Sequence, residues 1–401
     1  MQTDADVGEE AGPLRTAEPP RTCDVAVVGA GPAGSATARW LALRGASVAL
    51  IERSRFQSRR VGESLAPAVQ PALVELGLWN EFQALGPLPS YGTRSHWGDV
   101  APRVHSHVMS PWASGWHVDR RAFDLMLARA AASAGATLVT GVTVAGCRGS
   151  AAGWILDLRH DEGHDRHVRA MNLRARVVVD ATGRATRLAA LFHARRVAFD
   201  RLVGVASIFD GIDVSREGYV MVETTPRGWW YSAPIPRGAL MVMAMTDSDI
   251  CGRFRLATSD AWSTHLATAA ATRARAPVGH AAWGPRVFPA ASHRLVRGDC
   301  RRAWLAVGDA ALAVDPVSGS GVVRALRSAR AGAEAALALL EHADSEAIRA
   351  CEAERDRECT AYLQERAMYY GLERRWPAAE FWSRRRMGGE IPSPVGAFSA
   401  S

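Results

Sequence analysis

The run Gly29-Ala30-Gly31-Pro32-Ala33-Gly34 constrains the fold of this chain more than any other stretch, because of what flanks it. Before it, Cys23-Asp24-Val25-Ala26-Val27-Val28 is a short apolar strand pattern. After it, Ser35 to Arg44 reads as helix, and a second apolar run, Val48 to Ile51, ends in Glu52. Strand, glycine turn, helix, strand and acid, in that order, form a dinucleotide-binding unit. Gly29 permits the tight turn, Gly31 lets backbone approach a pyrophosphate, and Gly34 lets the helix pack close to the strand, with Ala33 inside the same turn. The helix start offers free N–H groups and a positive dipole end to the phosphates. Glu52, followed by Arg53, stands where an acid accepts hydrogen bonds from ribose hydroxyls.

Further along, Asp119 to Ala134 reads as a helix with Phe123, Leu127 and Ala131 on one face. Strand-like runs follow at Thr137 to Thr140, Trp154 to Leu158 and Val168 to Leu173, with a turn at Asp161-Glu162-Gly163 joining the last two as a hairpin. Val177-Val178-Val179 is a buried-strand pattern ending in Asp180-Ala181-Thr182-Gly183. From about 185 to 297 the runs are rich in strand formers (Leu202 to Phe209, Tyr219 to Glu223, Trp229 to Ile235, Leu240 to Met245), interrupted by one helix from about Ser259 to Arg275. The chain then returns to an apolar strand, Trp304 to Val307, capped by Gly308-Asp309. A helix follows from about Gly321 to Glu341, then charged helical sequence to about Arg375.

Composition narrows the chemistry. The 401 residues suggest two or three domains. Lysine is absent: all 48 basic residues are arginine, so no step here uses an amine side chain as base or Schiff base. The net charge of +7 comes without a nucleic-acid recognition motif, and no run reaches the roughly 18 apolar residues of a membrane span. Six scattered cysteines without a Cys-x-x-Cys pair argue against a zinc site or a disulfide framework, and no metal is expected. The first 21 residues, acidic and proline-bearing, read as a disordered tail on a cytoplasmic protein.

Three separated pieces converge: the turn at 29–34, Asp180 to Gly183, and Gly308-Asp309 followed by Asp315-Pro316-Val317-Ser318-Gly319-Ser320-Gly321. This set resembles the flavin-dependent monooxygenase and halogenase superfamily with a p-hydroxybenzoate-hydroxylase-like fold. The resemblance implies an α/β chain: a Rossmann-like FAD-binding domain (22–184 and 298–342), an inserted α+β substrate domain with a mixed or antiparallel sheet (185–297), and a helical C-terminal region (343–401). It implies FAD as cofactor, with Asp309 meeting ribityl or ribose hydroxyls and Pro316, Gly319, Ser320 and Gly321 by the flavin ring. Arg60-Val61-Gly62-Glu63-Ser64 and Asp119-Arg120-Arg121-Ala122-Phe123-Asp124 are similar to FAD-contacting segments of halogenase-like members, which makes Arg60 and Arg120 charge-neutralising groups.

Gly228-Trp229-Trp230-Tyr231-Ser232-Ala233-Pro234-Ile235-Pro236 resembles the tryptophan-rich signature of flavin halogenases. Tryptophan halogenases, however, rely on a lysine that this chain lacks, and on a glutamate where it has Ser318. That signature, with Tyr369-Tyr370 through Arg374, Arg375, Trp376, Phe381 and Trp382, is more similar to the maturation flavoproteins that serve lysine ε-oxidase, glycine oxidase or quinohemoprotein amine dehydrogenase. The resemblance then implies hydroxylation of a peptidyl tryptophan, through a flavin C4a-hydroperoxide formed with O2, on the way to a tryptophylquinone. Alternatives are oxygenation or halogenation of a small aromatic natural product, polyprenyl reduction of the geranylgeranyl-reductase kind, and non-catalytic escort of a partner. Thirteen tryptophans offer walls for an indole, with Trp97, Trp116, Trp229 and Trp230 as substrate candidates. Acid–base candidates are His96, His105, His107, His117, His293, Glu63 and Asp315, and none stands out as the catalytic base. No second dinucleotide fingerprint appears, so electrons come either from NAD(P)H bound transiently or from reduced flavin made by a separate reductase. The arginine-rich end, Arg374, Arg375 and Arg384 to Arg386, is either a solvated helix face or a dock for an acidic partner.

Overall fold

A strand covered on both faces needs apolar side chains at nearly every position. Thr22–Val28 and Val48–Glu52 meet that demand, with Val25, Ala26, Val27 and Leu50 fully buried, and they pair in parallel inside a seven-stranded sheet. The computed structural model describes residues 17–99, 101–150, 152–160, 170–214, 218–277, 281–297, 303–342 and 346–387. Most of the expected tail and the Asp161-Glu162-Gly163 turn lie outside the described residues.

Thr137–Thr140 extends this first sheet on one side, and Ala170–Asp180 runs parallel to Thr22–Val28 on the other. The far side of Ala170–Asp180 is shared. Its first half pairs antiparallel with Gly153–His160, itself paired with Val142–Ser150, and its end pairs parallel with Trp304–Ala306. Residues 170–173 and 177–179, read as parts of two separate runs, thus lie on one strand, while 168 and 169 fall outside the described residues. Arg174 and Arg176 point outward while Leu173, Ala175 and Val177 point into the core, so the charges interrupt the apolar run without breaking the period of two.

Helices Pro32–Leu43, Arg120–Ser133 and Gly321–His342 cover one face through Ala38, Leu41, Ala128, Ala131, Ala333 and Ala336. The first of them starts at Pro32, three residues before the expected start, because proline needs no N–H partner in a first turn. The other face is filled by Trp154, Phe192 and Trp304, with ring centroids 4.7 and 4.4 Å from Phe192.

The second seven-stranded sheet has the order Trp283–Pro289, Leu202–Asp210, Ala239–Asp247, Gly228–Ile235, Tyr219–Thr225, Gly92–His96, Arg103–Ser106. It is antiparallel except where Gly92–His96 joins Tyr219–Thr225 in parallel. The sheet therefore takes two strands from well outside 185–297. Both are polar: Arg103–Ser106 is the exposed edge strand and Gly92–His96 is its half-buried neighbour, so neither needs an apolar run. A three-stranded ribbon, Ser64–Leu65, Gly115–His117 and Leu88–Ser90, lies between the sheets.

One face of the second sheet is covered by Ser248–Arg253, Ser259–Leu266 and Ala270–Arg275. The single helix expected at 259–275 is two. The Glu223 carboxylate accepts from the N–H of Ala271 (3.2 Å) and of Thr272 (2.7 Å), capping the second helix where the first has ended. The opposite face is covered by the C-terminal helices Glu346–Gly371 and Glu380–Met387, through an aromatic block of Trp97, Trp229, Tyr370, Phe381 and Trp382. Most of the arginine-rich end is spent here rather than on a partner. Arg384 and Arg385 each reach the buried Asp247 at 2.8 Å, Arg385 also lies over the Phe381 ring, and Arg375 pairs with Glu373 at 2.7 Å. Only Arg374 is exposed as expected.

Candidate functional site

The ends of the first sheet's strands come together around three glycines with different duties. At Gly29 φ is +105°, and an added Cβ would lie 2.3 Å from the Ala181 carbonyl oxygen; at Gly34 it would lie 1.8 Å from the Gly29 oxygen. Both positions are closed to any side chain, because three backbone segments meet there. At Gly31, the residue before the first helical turn, an added Cβ meets nothing within 4 Å. Gly29 and Gly34 hold the chain together, and Gly31 leaves space in front of the helix start. Glu52 fixes the rim: Oε2 accepts from the Ala30 N–H (2.8 Å), and Oε1 accepts from both the N–H (3.0 Å) and hydroxyl (2.6 Å) of Ser54. Arg53 beside it is exposed.

The other two motifs join the same edge. Asp180 is opposite Val28 in the register and fully buried. Its Oδ1 accepts from the Thr182 N–H (2.9 Å) and hydroxyl (2.7 Å), while Oδ2 is buried without a partner and burial pushes the carboxyl pKa up. Gly183 turns the chain at φ +65°. Gly308 abuts Ala33, where an added Cβ would come within 2.7 Å of the Ala33 Cβ, so the first and third motifs are packed together. Asp309 is half-buried and held by Arg184 at 3.1 Å. Asp315 caps the short turn Pro316–Ser318 by accepting from the Val317 N–H at 3.0 Å. Gly319 follows at φ +60°, the Ser318 and Ser320 hydroxyls meet at 2.9 Å, and Gly321 opens the long helix. Added Cβ atoms at Gly319 and Gly321 meet nothing within 4 Å.

Arg60 and Arg120 converge from two elements, and both are bound to one carboxylate. Arg60 Nη1 reaches Asp124 Oδ2 at 2.8 Å and Arg120 Nη2 reaches Asp124 Oδ1 at 3.1 Å. Arg120 also donates to the carbonyls of Val61 and Gly62 at 3.0 Å. Asp124, fully buried, pairs with both arginines, and Glu52 Oε1 lies 3.6 Å from Arg60 as well, so the two cations stand among two carboxylates. An acid four residues after Arg120 on a helix was the available signal for this pair. Asp119 caps the helix start instead, accepting from Arg121 N–H at 2.8 Å.

Between the sheets lies a buried polar seam. Glu63 Oε2 accepts from the Gly62 N–H (3.0 Å), and its Oε1 is buried and unpartnered. Burial pushes its pKa up, partly offset by the Tyr231 hydroxyl that donates to it. The Tyr231 phenol is driven well above its usual range by burial and then by Glu63; Ser64 bonds the same hydroxyl. His117 pairs with Ser64 across the ribbon, fully buried with both ring nitrogens unpartnered. Burial, then Arg275 and His107, pull its pKa down to about 3; His293 is pulled down to about 4 by burial, then Arg196 and Arg184. Neither is the near-neutral acid–base group expected. His105 is exposed on the edge strand, His107 faces the Ser90 carbonyl at 3.0 Å, and His96 is half-buried.

The four tryptophan candidates do not form one wall. Trp97 and Trp229 share the aromatic block, where their indole N–H groups donate to the Tyr369 carbonyl (3.1 Å) and the Tyr370 hydroxyl (3.0 Å). Trp230 points to the opposite face, buried against Trp262 and His265, so its expected substrate role is corrected. Neighbours on one strand face opposite sides, and that alone separates Trp229 from Trp230. Trp116 packs edge-on against Phe82 and Trp79 in the helical layer beside the ribbon.

The donor set on the first sheet's edge, amides at a helix start with carboxylates and guanidinium groups around them, is what a pyrophosphate joined to sugars requires. The unpartnered Asp180 Oδ2 and the open faces of Gly31, Gly319 and Gly321 fit such a group. Among the described residues no helix is long and apolar enough to cross a membrane.

The sequence matches the FAD binding domain family model over residues 22–366. It is 30% identical over 365 residues to the putative FAD-dependent oxidoreductase LodB of Marinomonas mediterranea, covering 90% of this chain and 96% of that one. The myxobacterial chondrochloren halogenase CndH superposes with a TM-score of 0.82 at 25% identity, covering 94% of this chain and 89% of its own. The peptidyl tryptophan dihydroxylase QhpG superposes with a TM-score of 0.70 at 24% identity, covering 91% and 78%.

Proposed function

The chain belongs to the FAD binding domain family, and from that premise we propose that it is an FAD-dependent monooxygenase that hydroxylates a tryptophan side chain within a partner polypeptide. It is a flavin-dependent oxidoreductase with FAD as cofactor. We assign the amides after Gly31 to the pyrophosphate, Glu52 and Asp309 to sugar hydroxyls, the guanidinium groups of Arg60 and Arg120 to the anionic cofactor, and the turn 316–321 to the flavin ring. Bound FAD supplies electron storage and oxygen activation.

The chain's own residues handle position, water and protons. The aromatic block and the C-terminal helices exclude water from the inner face of the second sheet. In the polar seam, Glu63 keeps its proton above the ordinary carboxylate range, so it is the group suited to give a proton and take it back. The absence of lysine and the serine at 318 support oxygenation over halogenation, since the amine and the carboxylate tied to halogenation are both lacking.

One observation carries the polypeptide reading. Tyr91, Val104, Val108, Met109 and Trp112, half of the exposed large apolar side chains among the described residues, fall within 22 positions, with Met109 89% exposed. They lie on and beside the open edge strand Arg103–Ser106, all four residues of which are exposed. No acid occurs between Asp99 and Asp119, whereas Arg103, His105 and His107 do. The same segment runs on into His117 and Arg120. An apolar, basic sheet edge joined to the cofactor motifs suits an extended, acidic polypeptide presenting its tryptophan. QhpG, a peptidyl tryptophan dihydroxylase of tryptophylquinone cofactor biogenesis, acts on that class of substrate, and the reading extends to tryptophylquinone maturation of an amine oxidase or dehydrogenase.

The test is mass spectrometry of a tryptophan-bearing partner polypeptide before and after incubation with the enzyme, reduced FAD and O2. A gain of one or two oxygen atoms on tryptophan is expected. An unchanged polypeptide, with a small phenol or indole brominated when bromide is added, overturns the proposal for the halogenase reading that the CndH superposition favours. The double variant Val108→Asp/Met109→Asp should raise KM for the polypeptide about tenfold and leave kcat and bound FAD unchanged; an unchanged KM removes the edge from the site.

A further inference from the structure

We propose that Tyr370 is a positioning residue for the flavin ring, acting through Asp315 on the turn 316–321; the inference rests on the assignment of that turn made above. Tyr370 lies beyond the segment matched by the family model, which ends at 366. Its hydroxyl donates to Asp315 Oδ2 at 2.8 Å and accepts from the Trp229 indole N–H at 3.0 Å. Asp315 Oδ1 takes the Val317 N–H at 3.0 Å, so one carboxylate links the C-terminal helix to the first amide of the turn.

The helix is built for this contact. Tyr362, Arg366 and Tyr370 are spaced four apart, on one face of Glu346–Gly371, and all three converge on Asp315. The Tyr362 hydroxyl accepts from the Asp315 N–H at 2.8 Å and lies 2.6 Å from the Ser292 hydroxyl. Arg366 Nε is 3.6 Å from Asp315 Oδ2, while its Nη2 pairs with Asp200 at 3.0 Å. Arg385 lies over the Tyr370 ring from the last helix, 5.1 Å from its centroid. Asp315 is wholly buried, so its charge is felt at a distance that water would screen. Reduction adds negative charge to the ring, and a carboxylate behind the turn opposes that charge to the degree that its own is left unshared. Tyr370 shares it; Asp315 holds the turn amide in place while doing so.

The measurement is the ratio of FAD dissociation constants, reduced over oxidised, obtained from anaerobic equilibrium against a reference dye, with thermal unfolding recorded alongside. Tyr370→Phe leaves the Asp315 charge less shared and is expected to raise the ratio about tenfold, which for a two-electron couple is about 30 mV toward the negative. Asp315→Asn removes the charge and should move the ratio the other way. Opposite signs are not what loosened packing produces. Phe381→Leu, in the same aromatic block but without a polar group on Asp315, should stay within about twofold. If Tyr370→Phe does not fold, Trp229→Phe keeps the Tyr370–Asp315 bond and should shift the ratio in the Tyr370→Phe direction by about threefold. An unchanged ratio in Tyr370→Phe, or a shift of the same sign in Asp315→Asn, overturns the inference. Gly321→Ala separates the two levels. If it weakens FAD binding while Tyr370→Phe does nothing, the turn keeps its assignment and only Tyr370 falls; if neither acts, the assignment falls as well.

Discussion

The crossing at Gly29, Gly34 and Gly308 and the block formed by Trp97, Trp229, Tyr370 and Trp382 solve the same problem by opposite means. In the first, backbone segments close on one another and the side chain must be missing, since an added Cβ would lie 1.8 to 2.7 Å from its neighbour. In the second, the bulkiest side chains of three distant segments fill one space, with Trp97 4.6 Å from Tyr369 and 5.5 Å from Trp382 between ring centroids. The crossing is specified by what each position cannot hold, which is written locally. The block is specified by which remote partners happen to complement each other, which no short window contains.

The largest expected effect breaks the crossing. Gly34→Val should lose FAD altogether and destabilise the fold beyond about 4 kcal/mol, the exceptional end for one substitution; a yellow, normally melting variant would show that the crossing tolerates side chains after all. Next, Trp382→Ala should cost about 3 kcal/mol in urea unfolding yet change the FAD dissociation constant less than tenfold, because the block stabilises without lining the cofactor edge. Loss of FAD in that variant would merge the two regions into one unit. The smallest effect sharpens the seam between them. His117, His265 and His293 are held neutral down to about 3, 4 and 4 by burial first. The unfolded chain protonates them near pH 6.5, so it binds more protons than the native state below that pH, and stability falls as pH falls. At pH 5.5 each contributes a loss of about 1.4 kcal/mol. The raised carboxyls of Glu63, Asp180 and Asp315 work the other way, so the informative quantity is the difference between wild type and His117→Phe, whose acid limb should be shallower.

The expected fold class, a Rossmann-like FAD domain with an inserted sheet and a helical C-terminal region, is the one this chain adopts. Gly29, Asp180 and Gly308 were legible because each carries its constraint within a few residues of sequence. Gly92–His96 and Arg103–Ser106 were not, since two polar strands at the rim of the sheet leave no periodic signal and the parallel partner of Gly92–His96, Tyr219–Thr225, lies more than a hundred residues on. Asp124 lies inside the 119–124 motif, yet its pairing with Arg60 leaves no sequence signal, because 64 positions separate them and only the folded chain brings them together. The arginines at 384 and 385 looked like a surface run until Asp247 supplied their buried counter-charge. Trp230 was a different failure: strand alternation was enough to turn it away from Trp229.

The parallel pairing of Gly92–His96 with Tyr219–Thr225, closed from behind by Trp382, sets an order on biosynthesis. A ribosome releases the early strand long before its mate, and the aromatic face stays uncovered until Glu380–Met387 emerges. Removing Glu380–Met387 would strand that sticky surface on every nascent copy, so chaperone demand should persist until this segment has left the ribosome.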